Sequence, residues 1–151
     1  MINAKKSRAR AIIFSNGKLV TMYREKAGRI FYTFPGGGIE ENETEQECVA
    51  REVLEEFGLV VEPLKKVYIY ENQVNIEAFY LCKWISGEFG LGKGEEYDAD
   101  RNGGVYRPTL MNIEDIFTLP LMPPQVAKAC FEDYKIFGEN LSNEIKSFVE
   151  E

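Results

Sequence analysis

A chain of 151 residues is long enough to bury a real core in one domain and needs no second folding unit. Its 44% hydrophobic and 28% charged content excludes a disordered chain, and its formal net charge of −7, with 18 basic residues, 25 acidic residues and no histidine, excludes a protein that coats a nucleic acid polymer. The basic residues Lys5, Lys6, Arg8 and Arg10 precede an apolar run of only Ala11 to Phe14, too short for a signal or a membrane span, so a cytoplasmic protein without a membrane partner is expected.

In chain order, Arg8 to Ser15 and Lys18 to Arg24 predict two strands, and Asn16-Gly17 between them suits the positive φ angles of a two-residue hairpin. Ile30 to Phe34 predicts a short strand that stops in a sharp loop at Pro35-Gly36-Gly37-Gly38. From Thr44 to Phe57, Cys48, Val49, Val53, Leu54 and Phe57 recur at helical spacing. Thr44 with Glu47 makes a capping box, and Gly58 suits a left-handed cap. Val60 to Tyr70 and Ile76 to Ile85 predict an antiparallel strand pair, after which residues 86–104 hold six glycines and read as a lid or a plain loop. Val105 to Met111 returns to the sheet, and Pro123-Pro124 opens a second helix to about Phe137, leaving residues 139–151 as a partly helical or mobile tail. Mixed strands between two long helices predict an α/β sandwich forming a single domain over residues 1–151. Cys48, Cys82 and Cys130, with no paired spacing, read as small core residues rather than a disulfide framework or a zinc site.

Chemistry concentrates in the first helix. Glu52, Glu55 and Glu56 are related by three and four residues, so the spacing predicts three carboxylates converging on one face within about one turn, roughly 6 Å along the axis. In a chain with 21 glutamates a solvated acidic face would be the ordinary explanation, but these three occupy the last turns, where the helix dipole is negative and each exposed acid costs about 0.3–1 kcal/mol. Local conflict of that kind marks binding sites, and hard divalent cations are the ligands that oxygen-only clusters suit. A glycine run ahead of the helix lets backbone groups approach a metal or a phosphate. Arg51 is expected to pair with Glu43 or Glu47 and to fix the geometry of loop and helix.

Gly37, Glu43, Arg51-Glu52, Glu55-Glu56 and Gly58, in this spacing, make residues 37–59 resemble the complete 23-residue Nudix box of the Nudix hydrolases, the family of the MutT-type enzymes. The resemblance implies an α/β/α sandwich with a mixed β-sheet, dependence on Mg²⁺ or Mn²⁺, and hydrolysis of a nucleoside diphosphate linked to another moiety, oxidised nucleoside triphosphates included. By position, Glu52, Glu55 and Glu56 resemble the metal-binding and catalytic glutamates and the Gly36 carbonyl a further ligand. Glu43 with Arg51 resembles the scaffold pair, with Gly37 and Gly58 in structural places. Glu52 is one candidate base; because some members use a later loop, Glu88, Glu95 and Glu96 are alternatives. Without histidine, a carboxylate must move the proton or the metal ions must activate water. Arg24, Lys93 and Arg101 are candidate substrate contacts, and Tyr70, Tyr80, Phe89, Tyr97 and Tyr106 candidate stacking rings.

The stretch from Gly87 to Lys93 nearly fits a phosphate-binding loop but has Gly94 where Ser or Thr is needed and no helix after it. A catalytically silent Nudix-like nucleotide sensor is the rival reading, against which the intact glutamates speak. Asn75, where the resemblance would place a proline in ADP-ribose hydrolases or a tyrosine in dinucleoside polyphosphate hydrolases, leaves the substrate open, and either a monomer or a homodimer fits.

Overall fold

The computed structural model describes residues 4–89 and 104–151. Strands β1 (Lys6–Ser15) and β2 (Lys18–Lys26) form the expected hairpin, with Asn16 at φ 51° and Gly17 at φ 76°, the left-handed pair that a two-residue turn requires. Strand β3 (Arg29–Thr33) runs antiparallel to β2. The glycine stretch, expected to be a loop, is instead strand β4 (Gly36–Gly38), paired antiparallel with β1. The glycines are what permit the pairing. A Cβ at Gly36, where φ is 145°, would stand 2.2 Å from the Ala9 carbonyl oxygen, so only a bare backbone lies this close to β1.

Helix α1 (Glu45–Phe57) leads to strands β5 (Val60–Glu71) and β6 (Asn75–Ser86), which pair antiparallel as expected. Strand β7 (Val105–Asn112) returns along β2, short β8 (Leu121–Met122) pairs with β3, and helix α2 (Pro124–Phe137) follows. Beyond α2 there is a single 3₁₀ turn at Gly138–Asn140, and then the tail forms strand β9 (Lys146–Val149) rather than helix or mobile chain. It runs parallel to β5, from Tyr68 opposite Lys146 to Glu71 opposite Val149.

The sheet order is β8-β3-β2-β1-β6-β5-β9, with β4 added on β1 and β7 on β2. Parallel β1–β6 pairing among antiparallel neighbours makes it mixed. Alternation along β1 divides the core. Ala9, Ala11 and Ile13 face Cys48, Val49, Val53 and Phe57 of α1. Ile12 and Phe14 face Val126, Ala127 and Cys130 of α2 on the other side. This is the expected α/β/α sandwich. Each fully buried chain such as Ile12, Phe57 or Phe79 contributes roughly 1.5–3 kcal/mol relative to exposure. Cys48, Cys82 and Cys130 are buried and unpaired, as expected.

Asp133 on α2 is 1% exposed and accepts hydrogen bonds from the Tyr68 hydroxyl and the Lys146 ammonium, each at 2.6 Å, which fastens β9 to α2 and β5. Among the described residues no helix is long and apolar enough to cross a membrane.

Candidate active site

The position of α1 is fixed at both ends by its own sequence. The Thr44 hydroxyl accepts the Glu47 N–H at 3.0 Å while the Glu47 carboxylate accepts the Thr44 N–H at 2.9 Å, the capping box. Gly58, at φ 72°, caps the other end, donating its N–H to the Leu54 carbonyl at 3.0 Å. Glu52, Glu55 and Glu56 therefore fall in the last turns, and no basic residue stands in the last turn to balance them.

Arg51 ties helix, loop and strand together. Its Nε and Nη2 donate to the two oxygens of Glu43 at 2.7 and 3.0 Å, a bidentate pair, and Nη2 also reaches the Gly38 carbonyl at 3.2 Å. Its Nη1 donates to Glu52 at 3.0 Å and reaches Glu55 at 3.5 Å. Of the two partners the spacing allowed, Glu43 is used, because the Glu47 carboxylate is engaged in the capping box. Hydrogen bonding from Arg51, then from the Glu40 N–H, holds the Glu43 carboxyl down at about 2, and the Arg51 guanidinium is correspondingly pushed up.

The three glutamates share a helix face but do not converge. Glu55 is 59% exposed and leans toward Arg51, Glu52 is 17% exposed beneath it, and Glu56 turns to the sheet, where the Gly36 N–H donates to it at 3.2 Å. Like charges separate onto whatever donors the neighbourhood offers. Among the described residues no three His, Cys, Asp or Glu side chains are grouped closely enough to hold a metal ion as they stand. Glu52 and Glu56 nevertheless form a desolvated pair of like charge. Burial, then the charge of Glu52, pushes the Glu56 carboxyl up to about 7 against the opposing Gly36 N–H, Arg10 and Arg24. Burial also raises Glu52, with Arg51 opposing.

Gly37 leaves the room that the Glu52 carboxylate occupies, since a Cβ there would stand 2.7 Å from it. Arg24, on β2, stacks its guanidinium 4.0 Å over the Tyr106 ring and 5.4 Å from Phe31, and donates to the Tyr106 hydroxyl at 2.5 Å. Its Nε is buried with no hydrogen-bond partner among the described residues. Glu88 is exposed, beyond the end of β6. Glu95, Glu96, Lys93, Arg101 and the Tyr97 ring lie outside the described residues.

Arg10 was missed in the sequence, where it counted only as part of a basic N-terminus. It stands on β1 at the Gly36 register position and donates to Glu77 at 2.5 Å and to the Phe34 carbonyl at 2.9 Å. The signal was available: a cation followed directly by the buried run Ala11 to Phe14 sits on a strand covered on both faces and needs a partner.

Known proteins resemble this chain in sequence and in fold. The chain is 34% identical over 61 residues to an RNA pyrophosphohydrolase of Pasteurella multocida, a match covering 40% of this chain and 31% of that relative; the chain thus spans about a third of the relative's length. A Nudix hydrolase structure from Nitrosomonas europaea superposes with a TM-score of 0.73 at 18% identity, covering 98% of this chain and 81% of that one. An ADP-ribose pyrophosphatase structure from Streptococcus suis gives 0.67 at 22% identity, covering 97% and 100%. These two show the shared fold. The model of the NUDIX domain matches residues 5–125, most of the chain, and the chain therefore belongs to the NUDIX family, that of the Nudix hydrolases.

Proposed function

We propose that this Nudix hydrolase cleaves the diphosphate linkage of a nucleoside diphosphate derivative with Mg²⁺ or Mn²⁺ held at Glu52, Glu55, Glu56 and the Gly36 carbonyl. The observation that carries this reading is the desolvated Glu52–Glu56 pair: two carboxyls raised by burial, on a helix end that already disfavours acids, are held side by side with Arg51 paired to Glu52 and only the Gly36 N–H donating to Glu56. The donor set is all oxygen, which suits a hard dication, and the glycines of β4 keep the space beside it open. When bound, the cation supplies charge neutralisation at the phosphate oxygens and lowers the pKa of water.

The chain's own residues do the rest. Arg51 holds one oxygen of Glu52 and leaves the other free to accept a proton from water, which makes Glu52 the base in this reading. Arg24, with an unpartnered Nε beside the acids, meets a phosphate oxygen of the substrate. Glu43, fully engaged by Arg51, keeps the loop and the helix in register. The partner is a small nucleotide-like molecule, and three unpaired thiols fit a reducing cytoplasm.

The test is turnover on a panel of nucleoside triphosphates, oxidised guanine nucleotides, ADP-ribose, nucleotide sugars, dinucleoside polyphosphates and 5′-triphosphorylated RNA, with Mg²⁺ or Mn²⁺, beside a Glu56→Gln control. Metal-dependent release of a monophosphate or pyrophosphate that vanishes in the control supports hydrolysis. Tight binding of one nucleotide with no turnover would establish the sensor reading instead.

A further inference from the structure

Arg10 and Glu77 form a buried ion pair that lies outside the chemistry assigned to α1. Their side chains are 15% and 9% exposed, and the Arg10 Nε donates to Glu77 at 2.5 Å. Taking two charges out of water is expensive, and a well-packed apolar pair of similar volume is often as stable or more so. What the pair supplies instead is direction, because a guanidinium is a planar fork with donors at fixed angles.

That direction is toward β4. Strand β1 lies between β6 and β4, with Arg10 opposite Gly36, so one side chain on β1 reaches both neighbours. While Glu77 on β6 holds Nε, Nη1 donates to the Phe34 carbonyl at 2.9 Å. The next carbonyl, that of Pro35, accepts the Ala11 N–H at 2.8 Å. Two consecutive carbonyls of the segment entering β4 are thus held by two consecutive residues of β1. The Pro35–Gly36 peptide is planar, so the unit that gives its carbonyl to Ala11 gives its N–H to Glu56 at 3.2 Å. Gly36 does not hold this orientation by itself. At φ 145° it has no Cβ to restrict it, and a rotation there takes the N–H off Glu56.

We propose that Arg10 and Glu77 are positioning residues: Glu77 aims Arg10, Arg10 clamps the Phe34–Gly36 backbone, and the clamp keeps Gly36 and Glu56 in the arrangement that a divalent cation needs. Both act through the backbone, and neither is a ligand. The last step rests on the hydrolase reading; the clamp itself does not.

The experiment titrates Mn²⁺ alone, with no substrate, into the wild type and into Arg10→Met/Glu77→Met, following the free ion by electron paramagnetic resonance. The double exchange removes one charge of each sign, so net charge is kept and no unpaired ion is left in the core. The apparent Kd should rise about tenfold or more, with a melting temperature in chelator close to the wild type. In Glu77→Gln, whose amide oxygen still accepts from Arg10, the rise should be smaller, about threefold or less. Hydrogen exchange on the metal-free protein reads the clamp directly: the Gly36 amide should exchange at least about tenfold faster in the double variant, while the Gly58 amide, bonded to Leu54, keeps its rate. Unchanged Mn²⁺ affinity in the double variant would overturn the proposal, and Arg10 would then be a substrate contact from the α2-side cavity it borders or a plain stiffener of the sheet. Equal acceleration of the Gly36 and Gly58 amides, with a lowered melting temperature, rejects it as general destabilisation. A wild type that binds no Mn²⁺ strikes the hydrolase reading; the Gly36 amide then decides the clamp alone, and an unchanged rate rejects it.

Discussion

Two sets of acids lie against this sheet, one on each face, and they are treated in opposite ways. Asp133 on α2 is almost fully buried, yet a tyrosine hydroxyl and a lysine ammonium satisfy it. Glu56 on α1 has one backbone N–H and a second carboxylate for a neighbour. A carboxylate that serves structure is given donors, while the one proposed for chemistry is left short of them. The shortage is what marks the site.

The largest expected effect tests the satisfied side. Asp133→Ala should lower unfolding free energy by about 3 kcal/mol or more in chemical denaturation, because Tyr68 and Lys146 lose their common partner, while activity per folded molecule is kept. Loss of activity matching the loss of stability would erase the contrast. On the other face Glu56→Gln should do the reverse, costing at least about 100-fold in kcat with a melting temperature equal to or above the wild type without metal.

The glycines of β4 divide the same contrast more finely. At Gly37 an added Cβ meets only the end of the Glu52 side chain, so Gly37→Ala should cost roughly tenfold in kcat with little change in melting temperature. At Gly36 it meets the backbone of β1 at a φ of 145°, so Gly36→Ala should unfold the protein more readily, by about 2 kcal/mol or more. Equal behaviour of the two variants would show that β4 is only a spacer.

The smallest effects are in pH. Glu43, held at about 2 against an ordinary 4.5, favours its ionised form when folded; the stability it contributes is present above about 4.5 and is lost as pH falls toward 2. Glu56, raised to about 7, favours its neutral form when folded, so without metal the stability is highest below about 4.5 and declines as pH rises through 7. Thermal melts in a chelator from pH 5 to 8 should show that decline in the wild type and a flatter line in Glu56→Gln. Mg²⁺ at pH 8 should raise the melting temperature of the wild type alone.

What was legible in the sequence is what is local. Asn16-Gly17, the Thr44–Glu47 box and Gly58 each fix backbone angles within a few residues, and the glutamate spacing follows from the helix those caps define. Strands β4 and β9 escaped because their residues become strands only through partners elsewhere in the chain: Gly37 needs Ala9, and Ser147 needs Ile69. The same holds for the site. Glu52 and Glu56 could be placed on one face from spacing alone, but the dispersal of the three glutamates depends on Arg51 and on the Gly36 N–H, and the role of Arg10 on a register across strands.

The sheet also dictates an order of events during synthesis. Central β1 waits for β6, with Lys6 paired to Asn75, β2 waits for β7, with Lys18 paired to Asn112, and β5 waits for β9, with Glu71 paired to Val149. A nascent chain that has already made the whole α1 segment still lacks the strands that complete its platform, so these edges stay open on the ribosome. Folding governed by such distant closures is slow, and the protein gains its site late, as one cooperative act.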